Sequence, residues 1–282
     1  MKYFEPTSID EAVAILAREE DARCVSGGAT LVAMMNADLL SPGTLVGLRR
    51  VSGLTGITKT DEGLRIGAMT THATIALSTL FDAGTSVINR AANQIAHPPI
   101  RNMGTIGGSI SHADPAADFP TALLAANATI EVTGPNGPRH IPVDDFFLGY
   151  YETAVGENEI VSAILVPWGP AEASGEHVKV TRVDGDFATV SVSLVLAVDK
   201  NNCTYARIAV GAVAATPLHL DEADAVLTGS TLSSEDIAKA AELLVSAADP
   251  IDDVRGSAKY RRTLIPRLLK RAVLSLHSDS QE

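Results

Sequence analysis

Apolar positions along this chain recur in two periods, which predict a mixture of short helices and short strands. Ile9, Ala12, Val13 and Leu16 are spaced as one helix face. Ser8 with Glu11 reads as a capping box ahead of them, so a helix over Ile9–Arg18 is expected. A strand over 23–26 then runs into Gly27-Gly28, and 29–37 reads as helical again. Further strands are expected at 45–48, 56–58 and 64–66, and helices at 74–80 and 85–96. His97-Pro98-Pro99 stops the second of these helices, because proline cannot continue one. A helix over 119–127 precedes a hairpin of 129–133 and 139–142 about Gly134-Pro135-Asn136-Gly137. The stretch 167–175 is small, polar and turn-rich, and suits a domain boundary. Beyond it, a hairpin of 190–199 and 203–211 about Asn201-Asn202 leads into helices starting near 217, 233 and 259. With no internal repeat and no low-complexity tract, the pattern is α+β in two domains, 1–170 and 176–282.

Composition narrows the function. The 282 residues are 46% hydrophobic and 20% charged, an ordinary well-packed composition. The net charge of -12 argues against nucleic-acid binding, which needs a clustered basic face. Cys24 and Cys203 lie far apart, so neither a disulfide framework nor an iron–sulfur cluster held by this chain alone is expected; both read as buried small hydrophobes. The opening Met-Lys-Tyr-Phe-Glu-Pro has no apolar leader, and no stretch reaches the length of a membrane span, so a cytoplasmic location is expected. No metal site is expected.

Two glycine runs carry the candidate chemistry: Ser26-Gly27-Gly28-Ala29-Thr30 and Thr105-Ile106-Gly107-Gly108-Ser109. Without a Cβ, backbone N–H groups can approach a phosphate and form an anion nest, and the first run also opens a helix. Two such runs suit the two phosphates of a dinucleotide. Each taken alone equally suits a tight turn. Neither matches the dinucleotide G-x-G-x-x-G or the phosphate-loop pattern, and the regular strand–helix alternation of a Rossmann fold is missing.

The second run sits in a longer stretch, Ile95-Ala96-His97-Pro98-Pro99-Ile100-Arg101-Asn102-Met103-Gly104-Thr105-Ile106-Gly107-Gly108-Ser109-Ile110-Ser111-His112-Ala113-Asp114-Pro115-Ala116-Ala117-Asp118. This closely resembles the signature of the FAD-binding subunits of the xanthine dehydrogenase and carbon monoxide dehydrogenase family of molybdenum hydroxylases. Further landmarks follow in the family's order. They are Gly27-Gly28, Ile66-Gly67-Ala68-Met69-Thr70-Thr71-His72, Gly185-Asp186-Phe187-Ala188, and Tyr260-Arg261-Arg262 before the last helix. The resemblance spans essentially the whole chain. It implies a two-subdomain FAD-binding domain of the vanillyl-alcohol-oxidase (PCMH) type. A small α+β C-terminal domain of the CO dehydrogenase flavoprotein type would follow, with noncovalent FAD extended between the two.

The resemblance also implies residue roles. Val25, Ser26, Gly27, Gly28, Ala29, Thr30 and Leu31 would cradle the FAD pyrophosphate together with Thr105, Ile106, Gly107, Gly108 and Ser109. Asp118 would bind a ribose hydroxyl or fix its loop, and it equally suits a helix cap. Arg101 would lie near the phosphates or tie the loop to the protein. Lys179 would stand near the flavin, or be an exposed strand lysine. His177 falls where some relatives have an aromatic residue beside the flavin, but reads more simply as a surface residue. Asp186 and Phe187 would skirt the ring, and Val161 with Ile160 would form an apolar wall. Arg261, Arg262, Arg267, Lys270 and Arg271 read as a solvated helix face rather than a partner contact. No catalytic residue is expected, because in this family the chain relays electrons. A small subunit with [2Fe–2S] clusters would feed its FAD, and a large molybdopterin subunit would oxidise substrate, in a dimer of heterotrimers. Two alternatives stay open: a self-contained FAD oxidoreductase of the same superfamily, and a non-redox FAD-binding structural subunit. The substrate (carbon monoxide, an N-heterocycle or an aldehyde) and the electron acceptor are not set by this chain.

Overall fold

A computed structural model describes the backbone of residues 1–279 and side chains through 276; the last three residues of the expected second domain lie outside it. The N-terminal part holds β1 (Lys2–Phe4), α1 (Ile9–Arg18), β2 (Ala22–Val25), α2 (Leu31–Asn36) and β3 (Thr44–Gly47). Next come β4 (Ile57–Lys59), β5 (Gly63–Gly67), α3 (His72–Leu77), α4 (Ser86–Gln94), α5 (Pro98–Met103), α6 (Ile106–His112) and α7 (Asp118–Ala125). Strands β6 (Thr129–Gly134), β7 (Gly137–Pro142), β8 (Phe147–Gly149), β9 (Glu152–Thr153) and β10 (Ile160–Pro167) follow. The rest is β11 (Ala173–Val180), β12 (Val190–Asp199), β13 (Asn202–Gly211), β14 (Leu218–His219), α8 (Asp221–Leu227), α9 (Ser234–Ala247) and α10 (Ala258–Asp279).

These elements form three main sheets. The first is parallel, in the order β1-β3-β2, and is covered by α1 through Ala12, Val13 and Ile15. The second is antiparallel, β4-β5-β10-β6-β7, and carries the main core with Ile66, Ile130 and Ile164. The third is antiparallel, β11-β12-β13-β14. Its strands alternate between two cores, as a period of two requires. Val192, Leu194 and Leu196 of β12 join Ile265, Leu269 and Val273 of α10, whereas Val195 and Ala197 join the main core on the other face. Helix α7, buried along its whole length, lies between the two halves of the molecule.

Several local expectations change. The Ser8 hydroxyl accepts from the Glu11 N–H, but the Glu11 carboxylate accepts from Thr7 rather than closing a capping box. The helix expected over 85–96 ends at Gln94, four residues before Pro98, and Pro98 starts another, since proline suits the first helical position. The second glycine run is not a loop but the first turn of α6. Residues 173–175, expected in the linker, already belong to β11. Residue 217 precedes a short strand, and the helix begins at Asp221. Tyr260-Arg261-Arg262 lies inside α10, not before it. Both hairpins form; in the second, Asp199 pairs with Asn202, so the turn falls one residue earlier than expected.

Candidate functional site

Strand β2 ends at Val25, paired with Gly47, and delivers the chain into the first glycine run. Gly28 turns it at φ +74, a region that glycine enters without strain. Among the described residues, none accepts from the backbone N–H groups of Gly27, Gly28, Ala29, Thr30 or Leu31. The run is partly exposed, and α2 beyond it buries no residue. Consecutive unpaired N–H groups in a glycine turn make a concave donor surface suited to a phosphate.

The second run is built differently. Thr105 caps α6, its hydroxyl accepting from the Gly108 N–H at 3.1 Å. Ile106 N–H donates to Thr70 O at 3.0 Å, Gly107 N–H to Ala68 O at 2.8 Å, and Ser109 N–H to Thr105 O at 3.0 Å. The expected backbone donors of this run therefore already have acceptors, two of them in the Ile66–His72 segment. Thr105, Ile106 and Gly107 are buried, while Gly108 and Ser109 remain partly open. The runs nevertheless meet. A Cβ on Gly27 would lie 1.6 Å from Met103 O, and one on Gly108 would lie 2.5 Å from Ser26 Oγ. Arg101 ties its segment down, donating from Nη1 to Ile95 O at 2.9 Å and Ala96 O at 2.8 Å.

Asp118 opens α7, but Ala117 holds the cap position and makes no side-chain cap bond. Both Asp118 oxygens reach the second half of the chain instead. Oδ1 lies 3.0 Å from His177 Nε2 and Oδ2 lies 3.0 Å from Lys179 Nζ. Lys179 also donates to Asp186 O at 2.9 Å, and His177 Nδ1 lies 2.8 Å from Ser193 Oγ on the neighbouring strand. Burial opposes charge on Asp118, but the His177 hydrogen bond and charge, then the Lys179 ammonium, outweigh it and hold the carboxyl below its usual range. Lys179 is thus no exposed strand lysine, and His177, 1% exposed, is no surface residue. Ser193, His177 and Asp118 have the residue types of a nucleophile triad. The hydroxyl is fully buried, however, so no substrate can reach it.

The remaining expected residues divide. Val161 and Ile160 are buried in two different core clusters. The Asp186 carboxylate accepts from the Phe187 N–H, and Phe187 is exposed beneath the Arg255 guanidinium. Gly185 O accepts from the Ala96 N–H, which links this segment to the one Arg101 holds. In the C-terminal basic group, Arg267, Lys270 and Arg271 are exposed. Arg261 is buried and donates to Thr189 O and Ala212 O, so it is a structural clamp rather than part of a solvated face. Cys203 is buried, Cys24 only partly, and both are free.

One residue with a place in the site, His72, was not foreseen there, and neither was the burial of a second, His177. His72 packs its ring against Phe119 at 5.2 Å, and its Nδ1 is buried without a partner among the described residues. Desolvation, more than the opposing charge of Asp118, pushes its pKa down to about 4. His177 was readable in principle: at i and i+2 of one strand it shares a face with Lys179.

Comparison with known proteins shows the family. The family described as FAD binding domain in molybdopterin dehydrogenase matches residues 1–169, and the CO dehydrogenase flavoprotein C-terminal domain matches residues 177–276. The chain is 38% identical to the carbon monoxide dehydrogenase medium chain of Afipia carboxidovorans, over 96% of this chain and 94% of that one. It is 35% identical to the nicotine 6-hydroxylase medium subunit of Paenarthrobacter nicotinovorans, over 97% and 96%. Carbon monoxide dehydrogenase from Hydrogenophaga pseudoflava superposes with a TM-score of 0.95 at 35% identity, covering 99% of this chain and 97% of that one. FAD is therefore the cofactor, and the open N–H nest of the first run is a surface that fits its phosphates. Among the described residues, no helix is long and apolar enough to cross a membrane.

Proposed function

The chain belongs to the FAD-binding medium subunits of the molybdenum hydroxylases, and on that premise we propose that its flavin takes electrons from the [2Fe–2S] clusters of a small subunit and passes them to an acceptor, while a large molybdopterin subunit oxidises the substrate. Bound FAD supplies the capacity to accept electrons singly and release them in pairs. The chain supplies placement. Residues Gly27 to Leu31 offer the phosphates their N–H groups, with the hydroxyls of Ser26, Thr30 and Ser109 nearby, and Val25, Ala29, Thr105, Ile106, Gly107 and Gly108 give the cradle its shape. Asp118 and Lys179 set a fixed ion pair between the halves of the chain, Arg101 holds the second run, and Val161 backs the site from the core.

The observation that carries this reading is the open nest of Gly27 to Leu31, whose N–H groups have no acceptor among the described residues. The reading needs no proton-transfer group beside the nest. We read 1–170 as the FAD-binding domain and 176–282 as the C-terminal domain, in a dimer of heterotrimers. A cytoplasmic location suits the two free thiols. Relatives are named for nicotine, carbon monoxide and glyceraldehyde, so similar medium subunits serve different substrates, and we assign substrate choice to the large subunit.

The test mixes the FAD-loaded full chain with nicotine, carbon monoxide or glyceraldehyde without oxygen and follows flavin bleaching, then repeats it with both partner subunits. Bleaching is expected in the complex alone, and denaturation should release free FAD. Rapid reduction of the lone chain by a substrate would favour a self-contained oxidoreductase. A flavin that stays oxidised in a turning-over complex would favour a structural role.

A further inference from the structure

We propose that His177 is a positioning residue for the flavin site: it fixes one oxygen of the Asp118 carboxylate so that the other holds the Lys179 ammonium against the 185–188 segment. This rests on the reading of the site as flavin-binding. The chain of contacts is continuous, buried from Ser193 to Asp118 and part-buried at Lys179 and Asp186. It runs from Ser193 Oγ to His177 Nδ1 (2.8 Å), from His177 Nε2 to Asp118 Oδ1 (3.0 Å), from Asp118 Oδ2 to Lys179 Nζ (3.0 Å), and from Lys179 Nζ to Asp186 O (2.9 Å).

Each of His177, Asp118 and Lys179 has a hydrogen-bonding partner on each side. The Ser193 hydroxyl partners Nδ1, and Nε2 faces the Asp118 carboxylate, so both ring nitrogens are engaged. Strand register makes this possible, because His177 and Ser193 are direct cross-strand partners. Domain packing alone does not call for such a network. The opposite face of β11 packs through Val178, and buried ion pairs are often no better for stability than well-packed apolar groups. What the network adds is reach across the molecule. Lys179 grips Asp186 O, Gly185 O accepts from the Ala96 N–H, and Ala96 O accepts from Arg101 beside the second glycine run. His177 thus sets the position and charge of groups around the flavin without touching it.

Three substitutions separate positioning from packing. His177→Leu and His177→Asn remove the ring nitrogen that faces Asp118, while His177→Gln returns an amide N–H near the place of Nε2. FAD is titrated into each full-length apoprotein by flavin fluorescence, and the midpoint potential of the bound flavin and the melting temperature are read alongside. Leu and Asn should weaken FAD binding about tenfold, the cost of an unsatisfied buried polar group, and shift the potential. Gln should restore both even where its melting temperature stays low. Because His177 acts through Lys179, adding His177→Leu to a Lys179→Met variant should cause no further loss of FAD affinity. Equal loss in Leu, Asn and Gln, or unchanged affinity and potential in Leu, would overturn the proposal. Failure of the unsubstituted chain to bind FAD would instead overturn the reading of the site.

Discussion

The runs at 26–30 and 105–109 both set paired glycines among hydroxyl residues, yet the structure uses glycine differently in each. In the first, Gly28 supplies a positive φ, and the N–H groups that follow have no acceptor among the described residues. In the second, Gly107 lets α6 press on the Ala68 segment, and the helix-opening N–H groups are hydrogen-bonded within the chain. One run is a conformational turn open to a ligand; the other is a packing contact that holds the first in place. A glycine pair therefore has no fixed meaning until its neighbours are known.

The sharpest way to break this comparison is Gly107→Val. Even the first added carbon would lie 2.6 Å from Ala68 Cβ and 2.8 Å from Ala68 O, both in a buried segment with little room to shift. Overpacking there should cost about 3 kcal/mol or more. Thermal denaturation of the apoprotein checks it; a melting temperature equal to that of the unsubstituted chain would mean that α6 is not packed as described.

His72 tests the same contact by pH, since its N–H donates to Gly104 O and its ring lies beside Gly104 and Phe119. An unfolded histidine takes its proton near pH 6.5, whereas burial delays protonation in the folded chain to about 4. Between these values the unfolded state binds more protons, so stability falls as pH drops from 6.5 to 4, by up to about 3 kcal/mol. In His72→Leu this component of the pH dependence should vanish. Denaturant melts at pH 7 and pH 4.5 compare the two proteins, and an identical loss in both would refute the buried neutral imidazole.

Gly27→Ala carries the most severe clash of all, 1.6 Å from the backbone oxygen Met103 O, so the partly exposed first run must shift to admit the added carbon. The expected result is a folded protein whose FAD affinity falls at least about tenfold, or about 1.4 kcal/mol. Circular dichroism and flavin absorbance read the two effects separately, and full occupancy would show that the nest is not the phosphate site. Thr105→Ala is the mildest change. It removes the cap on Gly108 N–H and should cost about 1 kcal/mol, with the flavin retained. Loss of flavin out of proportion to stability would mean that the second run contacts the cofactor through this hydroxyl.

Much of this molecule is legible without coordinates. Helix α1 and both long hairpins follow from periodicity and turn residues, and the long run around Gly107 points to the family. The helices α5 and α6 do not follow from local rules. Pro98 suits a helix start as well as a helix stop, and Gly107-Gly108 argue against a helix, yet α6 forms because Thr105 caps it and Thr70 and Ala68 accept its first N–H groups.

By itself the sequence determined the elements whose signals are local, the family, and the cofactor class. Tertiary structure alone decided which glycine run stays open, that Arg261 is a buried clamp, and that Asp118 joins His177 to Lys179. Residues 118 and 177 are 59 positions apart, so no local period relates them. Their union depends on α7 lying against β12 and β13, with β11 alongside β12, and a buried carboxylate takes its partners from whatever the packing brings within reach.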